Sequence, residues 1–326
     1  MRSTLITGGA GFIGYHLARR LLADGGAVTL VDNFGRGVFD TDFRTLAAHT
    51  ACTVIDVDLL AGALPPLGVD AVVHLAAIVG VQNVVSRPSD VLTKNMAMLE
   101  RVLEYAQANQ QVEHVLFAST SEVYAESVRT GAAVVPTSED APLQVGDLRE
   151  PRSTYMLSKI YGEALCLQSG LPVTIVRPHN IYGPRMGMSH VIPELIRRAW
   201  ETPEGGTLPV ASPGHTRTFC YIDHATLALA TLLNLPPTLS AVNLGRQSPE
   251  ITIRELAEMV IDVVGRDLTV EALPDTPGSP ERRCPDTTRL TSLTGLVFDE
   301  PLVNGIRRTF DWYRRNILEG VESSAQ

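Results

Sequence analysis

The chain has 326 residues, of which 44% are hydrophobic and 19% charged, a composition that fits a folded globular protein and excludes a disordered chain. Its formal net charge of −9 argues against nucleic acid as a general partner, because phosphate binding needs a basic surface. The four cysteines form no CxxC pair, so we expect no metal site. No apolar run is long enough to span a bilayer, so we expect no membrane segment. Residues 3–6 read as a strand that leaves no room for a signal peptide, so we expect a cytoplasmic location.

The first half of the chain alternates short β-branched apolar runs with helical patterns. Strands are predicted at residues 5–7, 27–31, 51–57, 71–75, 114–118 and 173–177, with helices at 12–22 and 91–108 between them. Continuous apolar strands separated by helices indicate a parallel sheet that is covered on both faces. Beyond residue 177 prolines interrupt this alternation, and helices return at 227–233 and 253–264. We predict an α/β protein: a Rossmann-type, doubly wound parallel sheet over residues 1–177, and a smaller C-terminal α/β substrate-binding domain mainly over 178–326, with segments that can cross back.

A glycine-rich segment follows the first strand and opens the first helix. Gly8, Gly11 and Gly14 allow the backbone to turn sharply and to approach a pyrophosphate at the helix N-terminus. Asp32 ends the next strand, where a carboxylate accepts hydrogen bonds from ribose hydroxyls and repels a 2′-phosphate. The spacing therefore predicts NAD rather than NADP as the cofactor, although the nearby Arg36 is a basic residue that can accommodate the extra phosphate.

Further cofactor contacts are predicted along the same edge of the sheet. Asp58 follows the third strand, where an acid can meet the adenine amino group or simply cap a helix. Small residues after the fourth strand let the backbone approach the cofactor. The remaining predicted cofactor-binding residues are Phe12, Ile13, Asn33, Leu59, Leu75, Ala76 and Ala77.

Tyr155 and Lys159 are the strongest candidates for chemistry. They are four residues apart, so on a helix they project from one face. A lysine ammonium beside a tyrosine favours the phenolate over the phenol, whose unperturbed pKa is about 10. We therefore expect Tyr155 to act as a general base that removes an alcohol proton while hydride leaves the carbon.

Together these residues resemble the extended short-chain dehydrogenase/reductase family, specifically its NAD-dependent nucleotide-sugar epimerases, dehydratases and decarboxylases. The resemblance covers nearly the whole chain and includes the motifs at residues 177–184 and 217–223. It implies that Tyr155 takes the proton of the sugar 4-hydroxyl and that Thr120 hydrogen-bonds the same oxygen. It also implies that Lys159 lowers the pKa of Tyr155 and holds the nicotinamide ribose.

The same resemblance implies a nucleotide-sugar substrate, with uridine as the expected nucleotide, and a homodimer formed through helices at 91–108 and 155–168. Arg217 and one of the adjacent pair Arg282 and Arg283 would grip the diphosphate, and the spacing to Asp286 favours Arg282. The other implied substrate contacts are Val81, Asn180, His190 and Val191. His190 stands where epimerases often carry asparagine.

The residues after Thr120 bear on the reaction that follows oxidation at C4. Dehydratases of the 4,6 type carry an aspartic acid where this chain has Ser121, whose hydroxyl is a poor proton donor, whereas Glu122 is kept. Relatives that decarboxylate UDP-glucuronic acid share Thr-Ser-Glu-Val-Tyr, but residues 78–82 look more like an epimerase loop. We predict a C4 epimerase of a UDP-sugar that acts through a transient 4-keto sugar. A dehydratase or UDP-glucuronate-type decarboxylase that uses Glu122 and Ser121 is the alternative, and a non-catalytic nucleotide-binding sensor or scaffold is an alternative of another class.

Overall fold

A computed structural model of the protein describes residues 2–62, 64–276 and 278–319. Its strands are β1 (Ser3–Thr7), β2 (Ala27–Asp32), β3 (Cys52–Asp56), β4 (Ala71–His74), β5 (His114–Ala118), β6 (Val173–Pro178), β7 (Ile181–Tyr182), β8 (Thr207–Ala211), β9 (Thr216–Arg217), β10 (Cys220–Tyr221), β11 (Ala241–Leu244), β12 (Ile251–Thr252), β13 (Thr269–Leu273) and β14 (Arg282–Arg283).

The helices are α1 (Phe12–Ala23), α2 (Thr41–Ala47), α3 (Val81–Ser86), α4 (Pro88–Ala108), α5 (Ala125–Arg129), α6 (Arg152–Gln168), α7 (Val191–Glu201), α8 (Ile222–Leu233), α9 (Ile253–Val264), α10 (Thr288–Thr294) and α11 (Leu302–Tyr313). A 3₁₀ turn at Ser121–Tyr124 precedes α5, and a π-helical turn at Arg314–Leu318 follows α11. Over the described residues, no helix is long and apolar enough to cross a membrane.

Seven parallel strands form the main sheet, in the order β11-β6-β5-β4-β1-β2-β3. The predicted doubly wound sheet is therefore confirmed, and its first six strands match the predicted runs closely. Every residue of β4 and β5 is buried, as expected for strands that helices cover on both faces. The carboxyl ends of these strands meet at one edge, where ligands bind in sheets of this kind.

The seventh strand comes from beyond residue 177. β11 pairs with β6, with Ala241 opposite Ile175, and α8 packs against α1. The sequence did not indicate β11, because a run of four residues gains its stability from its neighbour rather than from its own pattern. Residues 222–244 thus return to the main sheet, while the domain division at residue 177 stays a prediction.

The smaller α/β part is built from short strands packed beside α7 and α9. β8 pairs with β13, and β9 lies between β12 and β14. A capping box between Thr252 and Glu255 begins α9 where its apolar stripe starts. One buried cluster joins Leu30 of the main sheet to Ile196 and Leu256 of this part, so the two parts share a hydrophobic core.

Candidate active site

The glycine-rich loop between β1 and α1 forms one end of the site. Gly8 has a φ of +71°, and a Cβ there would lie 2.9 Å from the amide nitrogen of Ala76. A Cβ on Gly14 would collide with the carbonyl oxygen of Gly8, so only glycine fits at either position. No side chain caps α1 and its first turn holds no acid, which leaves the amides of Phe12 and Ile13 available to an anion. This cradle fits the pyrophosphate of a dinucleotide.

Asp32 lies beside this loop at the carboxyl end of β2. Its Oδ2 accepts the amide of Ala10 at 2.9 Å and its Oδ1 accepts the amide of Phe34 at 2.9 Å. Each carboxylate oxygen has capacity for one further donor, as the ribose hydroxyls would require. The neighbouring Asn33 is exposed and its Oδ1 accepts the amide of Gly35 at 3.0 Å.

The other predicted cofactor residues lie along the same edge. Asp58 accepts the amide of Leu60 at 2.8 Å and so closes a local turn, while Leu59 is buried. The amide of Leu75 donates to the carbonyl of Thr7 at 3.1 Å. These bonds hold residues 75–77 against β1, and the close approach of Ala76 to Gly8 leaves a bare backbone surface there.

Tyr155, Thr120 and Lys159 converge where β5 and α6 meet. Thr120 follows β5 with an extended backbone, and its Oγ1 accepts the amide of Glu122 at 3.2 Å. The Lys159 ammonium is buried, donates from Nζ to the carbonyl of Ala118 at 2.7 Å, and lies 6.0 Å from the centroid of the Tyr155 ring. The structure thus brings the three predicted catalytic side chains together.

The electrostatics of this pair differ from the sequence expectation. The pKa of Tyr155 is raised to about 12, chiefly by burial, although hydrogen bonding to Thr120 and the charge of Arg36 oppose the rise. Lys159 was expected to lower this pKa, but its ammonium is held by the Ala118 carbonyl, and the cost of burying Tyr155 dominates. Burial also lowers the pKa of Lys159 to about 8. The chain alone therefore favours the neutral phenol.

Burial of the Lys159 ammonium lowers the stability of the folded protein. Burial lowers the pKa of Lys159 from 10.5 to about 8. Between these two pH values the unfolded chain therefore binds more protons at Lys159 than the folded protein does. The stability of the folded protein consequently rises with pH from about 8 to 10.5. In cofactor-free protein at neutral pH, Lys159→Met is expected to raise the free energy of unfolding by about 1–3 kcal/mol, even though the Ala118 carbonyl loses its donor.

Urea unfolding near neutral pH and again at about pH 9 measures this effect, and the gain should shrink at the higher pH. Lys94→Met is the matched control, since that ammonium is partly exposed and pairs with Asp90 on the surface. A Lys159→Met protein that is less stable than wild type at both pH values would contradict the expectation.

Glu122 faces the same cleft from the 3₁₀ turn. Its Oε1 lies 2.7 Å from Nη2 of Arg283, and its charge reaches Tyr155. The neighbouring Ser121 is buried and lines a small cavity together with His179 and Arg283. The structure therefore places the Glu122 carboxylate in the cleft near Tyr155. The neighbouring position, Ser121, holds no proton-donating acid.

Arg282 and Arg283 both lie in β14 and both line the small cavity beside Ser121. Arg282 is exposed and its Nη2 lies 2.7 Å from Oε2 of Glu250. Arg283 is the one of the two that pairs with Glu122. The preference for Arg282 as the diphosphate contact stays a prediction.

Arg217 is buried near Arg283 and is held by neutral groups. Its guanidinium donates to the carbonyls of Thr216 and Pro280 at 2.7 Å each and to Oγ of Ser279 at 3.0 Å. In the described ranges, no carboxylate lies within salt-bridge distance of Arg217, and burial followed by the charge of Arg283 lowers its pKa to about 10. A buried cation without a counter-ion fits the binding of a diphosphate.

The remaining predicted substrate residues lie between β6 and β7, at the start of α7 and at the start of α3. Asn180 has a φ of +42°, and its Nδ2 donates to the carbonyl of Thr218 at 2.9 Å, which leaves Oδ1 for a ligand. His190 precedes α7 and Val191 begins it. Val81 begins α3, but its side chain lies outside the described residues.

A buried polar network beneath the site was not found from the sequence. Arg177 donates to Glu163 from Nη2 at 2.6 Å and from Nε at 2.9 Å, and from Nη1 to the hydroxyl of Tyr124 at 2.6 Å. Oγ of Ser119 donates to Oε1 of Glu163 at 2.5 Å. This network ties α6, which carries Tyr155, to the ends of β5 and β6. In the sequence, this network was indicated only by the arginine of the motif at residues 177–184.

Comparisons with known proteins agree with this geometry. A family model described as the NAD dependent epimerase/dehydratase family matches residues 4–245. A UDP-N-acetyl-alpha-D-glucosaminuronate decarboxylase of Bacillus cytotoxicus is 32% identical over 95% of this chain and 97% of its own. UDP-glucuronic acid decarboxylase 1 of Danio rerio is 32% identical over 96% of this chain and 73% of its own. The solved UDP-glucuronic acid 4-epimerase of Bacillus cereus, in complex with UDP-glucuronic acid and NAD, is 25% identical with a TM-score of 0.81, over 96% of this chain and 99% of its own.

Proposed function

The chain belongs to the NAD-dependent epimerase/dehydratase family of nucleotide-sugar enzymes, and we propose that within it this protein decarboxylates a UDP-linked uronic acid through a 4-keto sugar. NAD is the cofactor, and the bare loop at Gly8 and Gly14 fits it. The observation that carries the proposal is Glu122, a carboxylate beside Tyr155 with Ser121 in the place of an acid. The two decarboxylases described above, which are 32% identical to this chain, support it.

Oxidation at C4 begins with the O4 proton. Tyr155 accepts this proton as the phenolate, a form that the chain alone does not favour and that the positive charge of bound NAD would stabilise, with Thr120 positioned to hydrogen-bond the same sugar oxygen. Lys159, fixed by the Ala118 carbonyl, holds the ribose on the cofactor side. Bound NAD supplies reversible acceptance of the hydride from C4.

The 4-keto group makes the C6 carboxylate labile. The C5–C6 bond breaks, its electron pair moves into the C4 carbonyl through C5, and carbon dioxide leaves. C5 then takes up a proton, and C4 regains its hydride while Tyr155 returns the proton to O4. The overall reaction therefore consumes one proton and involves no net oxidation. The negative charge of Glu122 repels the uronate carboxylate but not neutral carbon dioxide, which favours bond breaking. Arg283 holds Glu122 in this position.

C4 epimerisation, the prediction made from the sequence, is the second candidate. The ion pair between Glu122 and Arg283 offsets the charge of the carboxylate, and an epimerase needs no further acid or base. A 4,6-dehydratase is less well supported, because the buried hydroxyl of Ser121 is a poor proton donor to a leaving hydroxyl. The joint presence of Thr120, Tyr155 and Lys159 argues against a sensor or scaffold.

Glu122→Gln distinguishes the two candidates because it keeps the shape of the side chain and removes its charge. For a decarboxylase we expect carbon dioxide release to fall by about tenfold or more while Tyr155 still removes the O4 proton and C4 is still oxidised by NAD, so that reduced cofactor accumulates in a single turnover. For a C4 epimerase the variant should behave like wild type.

Turnover of UDP-glucuronic acid in deuterium oxide, followed by mass spectrometry and NMR, provides the measurement. Decarboxylation places solvent deuterium at C5, whereas C4 epimerisation places none. Glu126→Gln is the matched control, since that carboxylate lies one helical turn away and pairs with Arg129. A wild-type product without deuterium at C5 would overturn the proposed function.

The uridine nucleotide, the cytoplasmic location and the homodimer stay predictions. α4 and α6 lie side by side, and the Tyr161 hydroxyl donates to Oε1 of Glu100 at 2.9 Å between them. Leu167 is 46% exposed on the same pair of helices. We propose this surface as the dimer contact, which light scattering at micromolar concentration would test.

A further inference from the structure

Arg36 crosses the cofactor cleft. It lies in the segment between β2 and α2, and its Nη1 donates to the carbonyl of Val79 at 2.9 Å, in the segment that follows β4. In the sheet β1 lies between β2 and β4, so the side chain passes over the loop at the carboxyl end of β1. That loop is the glycine-rich cradle from which α1 begins.

The backbone around Arg36 is pressed against this cradle. A Cβ on Gly37 would lie 2.5 Å from Cβ of Ala10, so glycine is needed for the two loops to approach. Asp32 joins the loops further, since its two oxygens accept the amides of Ala10 and Phe34. These contacts therefore hold the backbone of Arg36 in place beside the glycine-rich loop.

The guanidinium of Arg36 has unused donors. Within the described ranges it forms no ion pair, and the Val79 carbonyl accepts one of the five N–H groups that a guanidinium carries. The glycine-rich loop lies between the two segments that this hydrogen bond joins, and α1, which begins from that loop, has no acid in its first turn. A cation and a helix N-terminus are thus found at the same edge of the sheet.

We propose that Arg36 grips the diphosphate of the bound dinucleotide from the side opposite the α1 N-terminus and closes the cleft over it. The nucleotide-sugar also carries a diphosphate, but the hydrogen bond of Arg36 joins the two segments that flank the glycine-rich loop, which favours the diphosphate of NAD. The direction of the side chain, from β2 across to β4, points away from the ribose at Asp32 and therefore against the 2′-phosphate role that the sequence left open.

Binding measurements on cofactor-free protein test this grip without reference to the sugar reaction. Calorimetric titrations with NAD, NADP, adenosine and UDP would compare wild type with Arg36→Ala and Arg36→Lys. Arg36→Ala is expected to weaken NAD binding by about ten- to a hundredfold, the value of a charge-assisted hydrogen bond, and to leave adenosine and UDP unchanged. Arg36→Lys should retain part of the affinity.

Arg44→Ala is the matched control, because that arginine is exposed on the adjacent α2 and stacks on Phe39. Unchanged NAD affinity in Arg36→Ala would overturn the proposal, as would an equal loss for adenosine, which would mean that the loop itself has changed. A larger loss for NADP than for NAD would assign Arg36 to the 2′-phosphate instead. A loss for UDP with NAD unchanged would assign it to the substrate. Each of these results leaves the proposed decarboxylation untouched.

Discussion

Tyr155→Phe is expected to lower kcat by about 10²- to 10⁴-fold, the contribution of a positioned general base. The ring and its contact with the Lys159 ammonium are preserved, while the phenolic oxygen that receives the O4 proton is lost. Because the C4 oxidation precedes every later step, decarboxylation and epimerisation would fall together. Initial rates with a saturating UDP-uronic acid, measured by product chromatography, provide the readout.

Two controls accompany this variant. Tyr161→Phe removes a hydroxyl from the same helix that bonds Glu100 outside the site, and it should turn over like wild type. NAD affinity should be little changed in Tyr155→Phe, because the pyrophosphate cradle lies at the glycine-rich loop. Wild-type kcat in Tyr155→Phe would remove Tyr155 from the mechanism.

The second large effect concerns the buried ion pair below the site. Arg177→Met is expected to lower the free energy of unfolding by about 3–5 kcal/mol, because it leaves the Glu163 carboxylate buried without its counter-ion. Glu163 and Arg177 are each about 4% exposed, and Met cannot replace the donors to Glu163, Tyr124 and the Glu139 carbonyl. Urea denaturation followed by circular dichroism measures the change.

Arg197→Met is the control, since its ion pair with Glu201 is exposed and should contribute less than about 1 kcal/mol. A double variant, Arg177→Met with Glu163→Leu, should recover part of the loss because it removes the unpaired charge. A loss in Arg177→Met as small as that in Arg197→Met would show that the buried pair is not what fixes α6 against β5 and β6.

The sequence predicted those features whose signal is local. Continuous apolar runs marked the first six strands, since a strand buried on both faces has no polar positions. The glycine spacing and the interval between Tyr155 and Lys159 are fixed by backbone geometry, so the cofactor cradle and the base could be proposed from the residues alone.

Features that depend on tertiary neighbours were missed. The ion pair between Arg283 and Glu122 depends on how β14 pairs with β9, which two residues of strand cannot reveal. The pKa of Tyr155 rises because of burial, a property of the folded cleft and not of the four-residue interval to Lys159. The hydrogen bond from Arg36 to the Val79 carbonyl joins segments that follow β2 and β4, and only the strand order, with β1 between them, places it across the glycine-rich loop.

Product analysis tests the central claim most directly. The purified protein with NAD would be incubated with UDP-glucuronic acid, its N-acetylated analogue and the matching neutral UDP-hexoses, and the nucleotide sugars analysed by mass spectrometry. The account predicts that a uronic acid loses carbon dioxide to give a UDP-pentose, that the neutral sugars are unchanged, and that NAD is not consumed. A uronic acid product of unchanged mass and altered retention, or a neutral sugar that is epimerised instead, would contradict it.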